Sequence, residues 1–487
     1  MSMRLSHLAV SAGGTTLVDV ENLHFERGQA VTIVGESGSG KSLLAHAIMG
    51  TLPGSLTLQG SLAVDGTTYD LAERTNRRAL WGRVMSLLPQ EPVLSLDPTM
   101  RVQEQVAEGA RSFTSDKASA RLSARTLLGS LGLGHATRAY PHTLSGGMAQ
   151  RVAFAASTIG NAQVLIADEP SKGLEVAARG ELAALLQRHL DGGGILLTIT
   201  HDLDLARELG GTVLVMKDAH VIEQGPAGEV LTEPAHPYTR QLLGAEPVNW
   251  NYYWANSGTA AEPSGQPLIT GEGLSKSYGG QRLFSDLSVT VGQGERIALS
   301  GPSGCGKTTL GNILLRLLPP DSGRVRHADV LDGGRLQKLY QDPTVAFAPR
   351  AALKDSFGDV MRRHRLGRDR LDELMASLRL APGLLERMPG QVSGGELQRL
   401  AIIRAMLLRP ALVFADEPTS RLDLITQQET MSCLMDQVDS QGCALMLVTH
   451  DQSLADAVAH RRIQLGTKQP PHMGDMRRLP VSTLLTR

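Results

Sequence analysis

Four short motifs occur twice in this chain, in the same order, and no other feature constrains the fold as strongly. Gly-Glu-Ser-Gly-Ser-Gly-Lys-Ser (Gly35–Ser42) returns as Gly-Pro-Ser-Gly-Cys-Gly-Lys-Thr (Gly301–Thr308). Leu-Ser-Gly-Gly-Met-Ala-Gln-Arg (Leu144–Arg151) returns as Val-Ser-Gly-Gly-Glu-Leu-Gln-Arg (Val392–Arg399). Ile-Ala-Asp-Glu-Pro (Ile166–Pro170) returns as Phe-Ala-Asp-Glu-Pro (Phe414–Pro418), and Thr-His-Asp stands at Thr200–Asp202 and at Thr449–Asp451. Ser145 precedes Asp168 by 23 residues, the spacing that also separates Ser393 from Asp416. Ordered motifs at a constant spacing mean a duplicated domain. Lys41 precedes Gln90 by 49 residues but Lys307 precedes Gln341 by only 34, so the second copy is expected to lack about one hairpin. A length of 487 residues accommodates two domains. Their expected bounds are 1–247 and 266–487, joined by a linker over 248–265. Trp250, Tyr252, Tyr253 and Trp254 in the first half of that linker are expected to pack onto a domain; its second half is small and polar.

Each copy alternates short apolar runs with helical stretches. Ala30–Val34, Val164–Ala167 and Ile195–Ile199 have counterparts in Ile297–Ser300, Leu412–Ala415 and Ala444–Val448. Runs without polar alternation, separated by helices, predict a largely parallel α/β sheet. Ligands of such sheets sit beyond the carboxyl ends of the strands, where each repeated motif falls.

The Gly-rich octapeptides follow a strand and precede a helix, the setting of a phosphate-binding loop. Gly35, Gly38 and Gly40, like Gly301, Gly304 and Gly306, allow positive φ and close backbone approach to an anion. With Ser37, Ser39 and Leu43, and with Ser303, Cys305 and Thr309, they present a helix N-terminus to phosphate. Lys41 and Lys307 are placed to reach the β- and γ-phosphates, and Ser42 and Thr308 to ligate Mg²⁺. Asp168 and Asp416 end apolar strands and are suited to hold Mg²⁺, a cation that takes oxygen ligands. Glu169 and Glu417 follow directly and are placed to polarise the attacking water. His201 and His450 close the next strand and are expected to sense the γ-phosphate. Phosphoryl transfer depends mostly on such positioning and charge stabilisation. Ser145-Gly146-Gly147 and Ser393-Gly394-Gly395 each open a further helix, a second phosphate-facing terminus. Cys305, at a helix start beside Lys307, is expected to be the most alkylation-prone of the three thiols.

With these motifs the chain resembles the ATP-binding cassette (ABC) family over essentially its whole length, as two fused cassettes. That resemblance implies tandem P-loop nucleotide-binding domains, each with a mainly parallel sheet and a helical subdomain, hydrolysing ATP with Mg²⁺. It implies composite sites between the cassettes of one chain: Lys41, Gln90, Asp168, Glu169 and His201 with Ser393–Gly395, and Lys307, Gln341, Asp416, Glu417 and His450 with Ser145–Gly147. Gln90 and Gln341 match the family's glutamine loop, which contacts Mg²⁺ and signals to the transport partner. Tyr278, 23 residues before Gly301, resembles the aromatic that stacks on adenine; the matching place in the first copy, near Ala12, has none. Glu175 stands where the family usually has Asp, as Asp423 does in the second copy.

Leu87–Pro98 and the segment Glu233–Leu243, with its His-Pro-Tyr-Thr, are similar to the ATPases of dipeptide, oligopeptide and nickel importers. This narrower resemblance implies a peripheral subunit on the cytoplasmic face of the cell's inner membrane. It would serve two permease subunits and an extracytoplasmic solute-binding protein, importing peptides, nickel or metal–chelator complexes. Two alternatives share the cassette pattern: a soluble ribosome-associated twin-cassette factor, which usually carries a long charged linker, and an accessory of a phosphonate-catabolism complex.

Composition agrees with an intracellular peripheral protein. Forty-eight Lys+Arg against 49 Asp+Glu argue against a broad nucleic-acid surface, and no nucleic-acid partner is expected. Three cysteines, none in a C-x-x-C pair, exclude a disulfide framework, and none stands before Cys305 to bind an iron–sulfur cluster after the first cassette. No apolar run is long enough to span a membrane, and the N-terminus lacks the apolar core of a signal peptide.

Overall fold

An apolar run without a solvated face belongs in the middle of a sheet covered on both sides. Every residue of Ala30–Val34, Val164–Asp168 and Ile195–Ile199 is buried, as is every residue of Arg296–Ser300, Leu412–Asp416 and Ala444–Val448. The computed structural model describes residues 2–90, 92–111, 114–174, 176–250, 266–302 and 304–466. It divides into two compact units: Met1–Asn249 with Leu422–Gln428, and Trp250–Arg421 with Glu429–Arg487.

In the first unit, Thr212–Lys217, Ala30–Val34, Ile195–Ile199, Val164–Asp168 and Met85–Leu88 lie side by side, all parallel. Beyond Thr212–Lys217 the sheet continues through His220–Pro226 into an antiparallel layer of Thr15–Val20, Met3–Ala12, Thr57–Val64 and Thr67–Asp70. In the second unit the parallel order is Leu336–Leu339, Leu412–Asp416, Ala444–Val448, Arg296–Ser300 and Arg461–Gln464. A separate three-stranded antiparallel sheet holds Gln281–Gly292, Pro267–Tyr278 and Ser322–His327.

The spacing difference between the copies resolves more finely than a lost hairpin. Thr57–Val64 turns at Asp65 and Gly66, both at positive φ (46° and 83°), into Thr67–Asp70, and a 3-10 turn follows at Arg74–Leu80. In the second copy the outgoing strand survives as Ser322–His327 and leads directly to a turn at Asp329–Leu331. The return strand is missing and the 3-10 turn is shortened from seven residues to three, Leu331 standing where the first copy has Leu80. The longer turn carries Arg77, fully buried, which donates to the carbonyls of Asp70 and Leu71 on one side and of Ala47 on the helix after the phosphate loop.

Each unit adds a helical subdomain. Val102–Ala110, Lys117–Ser130 and Gly146–Thr158 share a core that includes Val106, Leu128 and Val152. Leu353–His364, Arg368–Ser377 and Gly394–Met406 share one that includes Phe357, Leu371 and Ile402. Trp250 is buried in this second core; Tyr252, Tyr253, Trp254 and the rest of 251–265 lie outside the described residues.

Candidate functional site: two phosphate loops with their carboxylates

Both Gly-rich octapeptides connect a buried strand to a helix at the carboxyl end of the parallel sheet. Gly35 has φ 147°, and a Cβ there would lie 2.2 Å from the Met216 carbonyl oxygen, so no side chain fits. Gly301 repeats this at φ 140°, with Leu465 O 2.5 Å away. Gly38 and Gly304, at φ 85° and 74°, would place a Cβ in open space, so the left-handed backbone rather than packing calls for glycine there. Gly40 and Gly306 cap Lys41–Met49 and Lys307–Leu314 in the left-handed conformation, with Leu43 and Thr309 in the first turns. Ser37 is exposed at the first loop, and Ser39 turns inward to donate to Glu36 O at 2.9 Å. Ser303 lies outside the described residues.

Each loop wraps its own lysine. Lys41 Nζ donates to the carbonyls of Gly35 (2.8 Å) and Glu36 (2.6 Å), and Lys307 Nζ to those of Gly301 (2.7 Å) and Pro302 (3.2 Å). Burial pushes the Lys41 pKa down against the opposing pull of Glu169.

Beneath each loop a hydroxyl meets a buried carboxylate. Ser42 Oγ donates to Asp168 Oδ1 and Thr308 Oγ1 to Asp416 Oδ1, both at 3.0 Å. Burial raises the pKa of both aspartates, and the hydroxyl hydrogen bonds oppose it. A hydroxyl and a carboxylate oxygen at a phosphate loop are the donor set a small divalent cation accepts, so the residues fit Mg²⁺.

Glu169 and Glu417 are held at φ 47° and 46°, a left-handed geometry rare for glutamate. Their amides donate to Ile199 O and Val448 O on the strands that end at the histidines. His201 Nδ1 is 2.7 Å from Glu169 Oε2, and His450 Nδ1 is 3.5 Å from Glu417 Oε1. Burial pushes Glu169 up, but the hydrogen bond and charge of His201 outweigh it and the pKa is lowered; Glu417 is lowered first by its bond to His450. The two glutamates are therefore held ionised. Gln341 directs its amide to Glu417 Oε2 (2.9 Å), and Gln90 stands two residues beyond its strand, half-buried. Within each unit, then, lysine, hydroxyl, aspartate, glutamate and histidine converge on one loop.

Ser145 and Ser393 are helix N-caps, accepting from the amides of Met148 and Glu396 at 3.3 Å, with Gly146, Gly147, Gly394 and Gly395 in the first turns. Only the second copy closes a capping box, in which Glu396 accepts from both the amide and the hydroxyl of Ser393. Tyr278 ends its strand half-exposed, with Lys276 Nζ 5.5 Å from the ring centre. Glu175 lies outside the described residues.

Cys305 is half-buried, as is Cys433, while Cys443 is buried. The Cys305 thiol packs against the core cluster that includes Leu299, Leu310 and Leu465, and a Cβ on Gly301 would come 2.9 Å from its sulfur. The loop turns this side chain toward the core, as it does Ser39, but leaves it partly exposed, whereas burial raises the pKa of Cys433 and pushes that of the buried Cys443 up to about 12. Lys338, on the half-polar strand Leu336–Leu339 before Gln341, joins the second site, and its only signal in the sequence is a charge where the first copy has Leu87.

Two parallel sheets, each with such a site at its carboxyl end, define a tandem phosphate-loop ATPase. The family model described as ABC transporter matches residues 18–172 and 284–420, and the chain belongs to that family. The peptidoglycan transport ATP-binding protein YejF of Agrobacterium fabrum is 32% identical over 94% of this chain and 90% of its own. The glutathione import ATP-binding protein GsiA of Escherichia coli is 32% identical over 91% of this chain and 81% of its own. Among solved structures, RNase-L Inhibitor superimposes with a TM-score of 0.65 over 94% of this chain and 87% of its own, at 22% identity. An archaeal ribosome recycling factor in complex with a ribosomal stalk protein does so at 0.64, over the same shares and at the same identity. At that identity the likeness concerns the fold. No described helix is long and apolar enough to cross a membrane.

Proposed function

We propose that both cassettes, 1–247 and 266–487, hydrolyse ATP to energise import of a peptide-like solute through a membrane permease. The observation that carries the reading is the same convergence of lysine, hydroxyl, aspartate, glutamate and histidine in each unit. The two relatives, one named for glutathione import and one for peptidoglycan transport, support import and the peptidic class. The partners are two permease subunits and an extracytoplasmic solute-binding protein, with the chain peripheral on the cytoplasmic face. In the first unit a cleft beside the glutamine loop, lined by Trp81, Leu96 and Met100 together with polar Asp97, Gln105 and Glu108, offers a seat for a permease segment.

Lys41 and Lys307 exchange loop carbonyls for phosphate oxygens when nucleotide enters, and the loop amides take the remaining phosphate charge. Ser42 with Asp168, and Thr308 with Asp416, would hold Mg²⁺, which would supply charge neutralisation at the phosphates. Glu169 and Glu417, kept ionised by their histidines, accept a proton from the attacking water. Glu169→Gln and Glu417→Gln keep the metal and phosphate ligands. Each is expected to leave ATP binding intact, and the double variant to slow single-turnover hydrolysis by about a hundredfold or more. Full single-turnover activity in the double variant overturns the assignment. Copurification with the permease, followed by identification of the bound solute, tests the cargo class.

A further inference from the structure

The two sites differ at one buried cation. Lys338 lies on Leu336–Leu339, beside the strand that ends in Asp416, with its side chain 12% exposed. Its Nζ donates to Asn312 Oδ1 at 2.8 Å, lies 3.8 Å from Asp416 Oδ2, and stands 5.5 Å from the Phe414 ring centre and 5.0 Å from that of Tyr340. An amide oxygen, a carboxylate and two aromatic faces form a cage for an ammonium. The first copy has none of the cage specific to the second: counting from the shared motifs, Leu87 replaces Lys338, His46 replaces Asn312, Ile166 replaces Phe414 and Pro89 replaces Tyr340. Gly311, where the first copy has Ala45, makes room for Phe414; a Cβ there would fall 2.0 Å from the ring. These replacements are mutually adjusted, so the cation is built in.

Asp416 uses Oδ1 for Thr308 and turns Oδ2 toward Lys338. A fixed positive charge at that oxygen competes with a divalent cation for the same carboxylate. We propose that Lys338 is a positioning residue that weakens divalent-metal binding at the second nucleotide site and so makes the two sites unequal in their metal requirement. The proposal rests on Asp416 as a metal ligand.

The test uses the full chain with a non-hydrolysable ATP analogue and follows free Mn²⁺ by electron paramagnetic resonance. The wild type is expected to show two affinity classes, the weaker belonging to the second unit. Lys338→Met, close in volume but neutral, should tighten the weaker class roughly tenfold, as expected for losing one unit charge a few ångströms from the metal. Lys338→Arg should leave it weak. A single class in the wild type, an unchanged weaker class in Lys338→Met, or equal behaviour of the Met and Arg variants overturns the proposal. Asp416→Asn separates the two layers. Persistence of the weaker class in Asp416→Asn removes the ligand assignment and the proposal with it. Its loss there, together with no change in Lys338→Met, removes the role of Lys338 alone.

Discussion

Glu169 and His201 hold each other in opposite charge states, and the pair has a pH signature. Burial lowers the His201 pKa, but the hydrogen bond and charge of Glu169 outweigh it and the net shift is upward from 6.5. Glu169 is shifted downward from 4.5. The glutamate contribution to stability is complete above its unfolded value and is lost as pH falls through its lowered folded value. The histidine contribution is complete below its unfolded value and is lost as pH rises through its raised folded value. Both are present between pH 4.5 and 6.5. His201→Gln is therefore expected to lower the melting temperature most in that window, with the gap to wild type closing at higher pH. A gap that widens as pH rises, in calorimetric scans across pH 4.5 to 9, contradicts the pairing.

At the scale of the element, the phosphate loop divides its glycines by purpose. Gly35 is required by packing, because a Cβ would overlap the Met216 carbonyl. Gly38 has open space at the same atom, so its left-handed φ of 85° rather than packing calls for glycine. Gly35→Ala is expected to cost about 2–4 kcal/mol of unfolding free energy. Gly38→Ala should cost about 1–2 kcal/mol, from the strained φ alone, while weakening ATP binding at the first site. Denaturant unfolding and nucleotide titration of both variants check this. Equal losses of stability would mean that the two positions do not differ as their surroundings indicate.

Across the whole molecule, the units are repeats that have diverged in what ties them together. Arg77 fastens the return strand of the first unit to the helix behind its phosphate loop, and the second unit lacks both the strand and the arginine. Arg77→Met removes the donor to the Leu71 carbonyl and one of the donors to those of Asp70 and Ala47, which keep Asn76 and the Gly50 amide, and should cost about 2 kcal/mol or more. The loss should fall on the first unit only. In calorimetry of the full chain, one component should move down while the other stays; a uniform shift of all components contradicts a local role.

The sequence by itself determined the duplication, the parallel α/β class and the residues that converge at each loop, because those depend on local patterns. A buried apolar run has one solution in a layered fold, and a Gly-rich turn before a lysine has few. Ser42 with Asp168 and Glu169 with His201 were legible as motifs, but their pairing was not, since the partners meet only when distant strands align. The packing of Cys305 was not legible for the same reason: position in a loop says nothing of which side faces the core, and Leu465, far along the chain, lies on that side. Lys338 was invisible as a site residue because a charge in a short, half-polar strand acquires meaning only from what surrounds it. Asn312, Phe414, Tyr340 and Asp416 come from separate segments, and only tertiary packing, which brings their atoms within a few ångströms, turned that lysine into part of a nucleotide site.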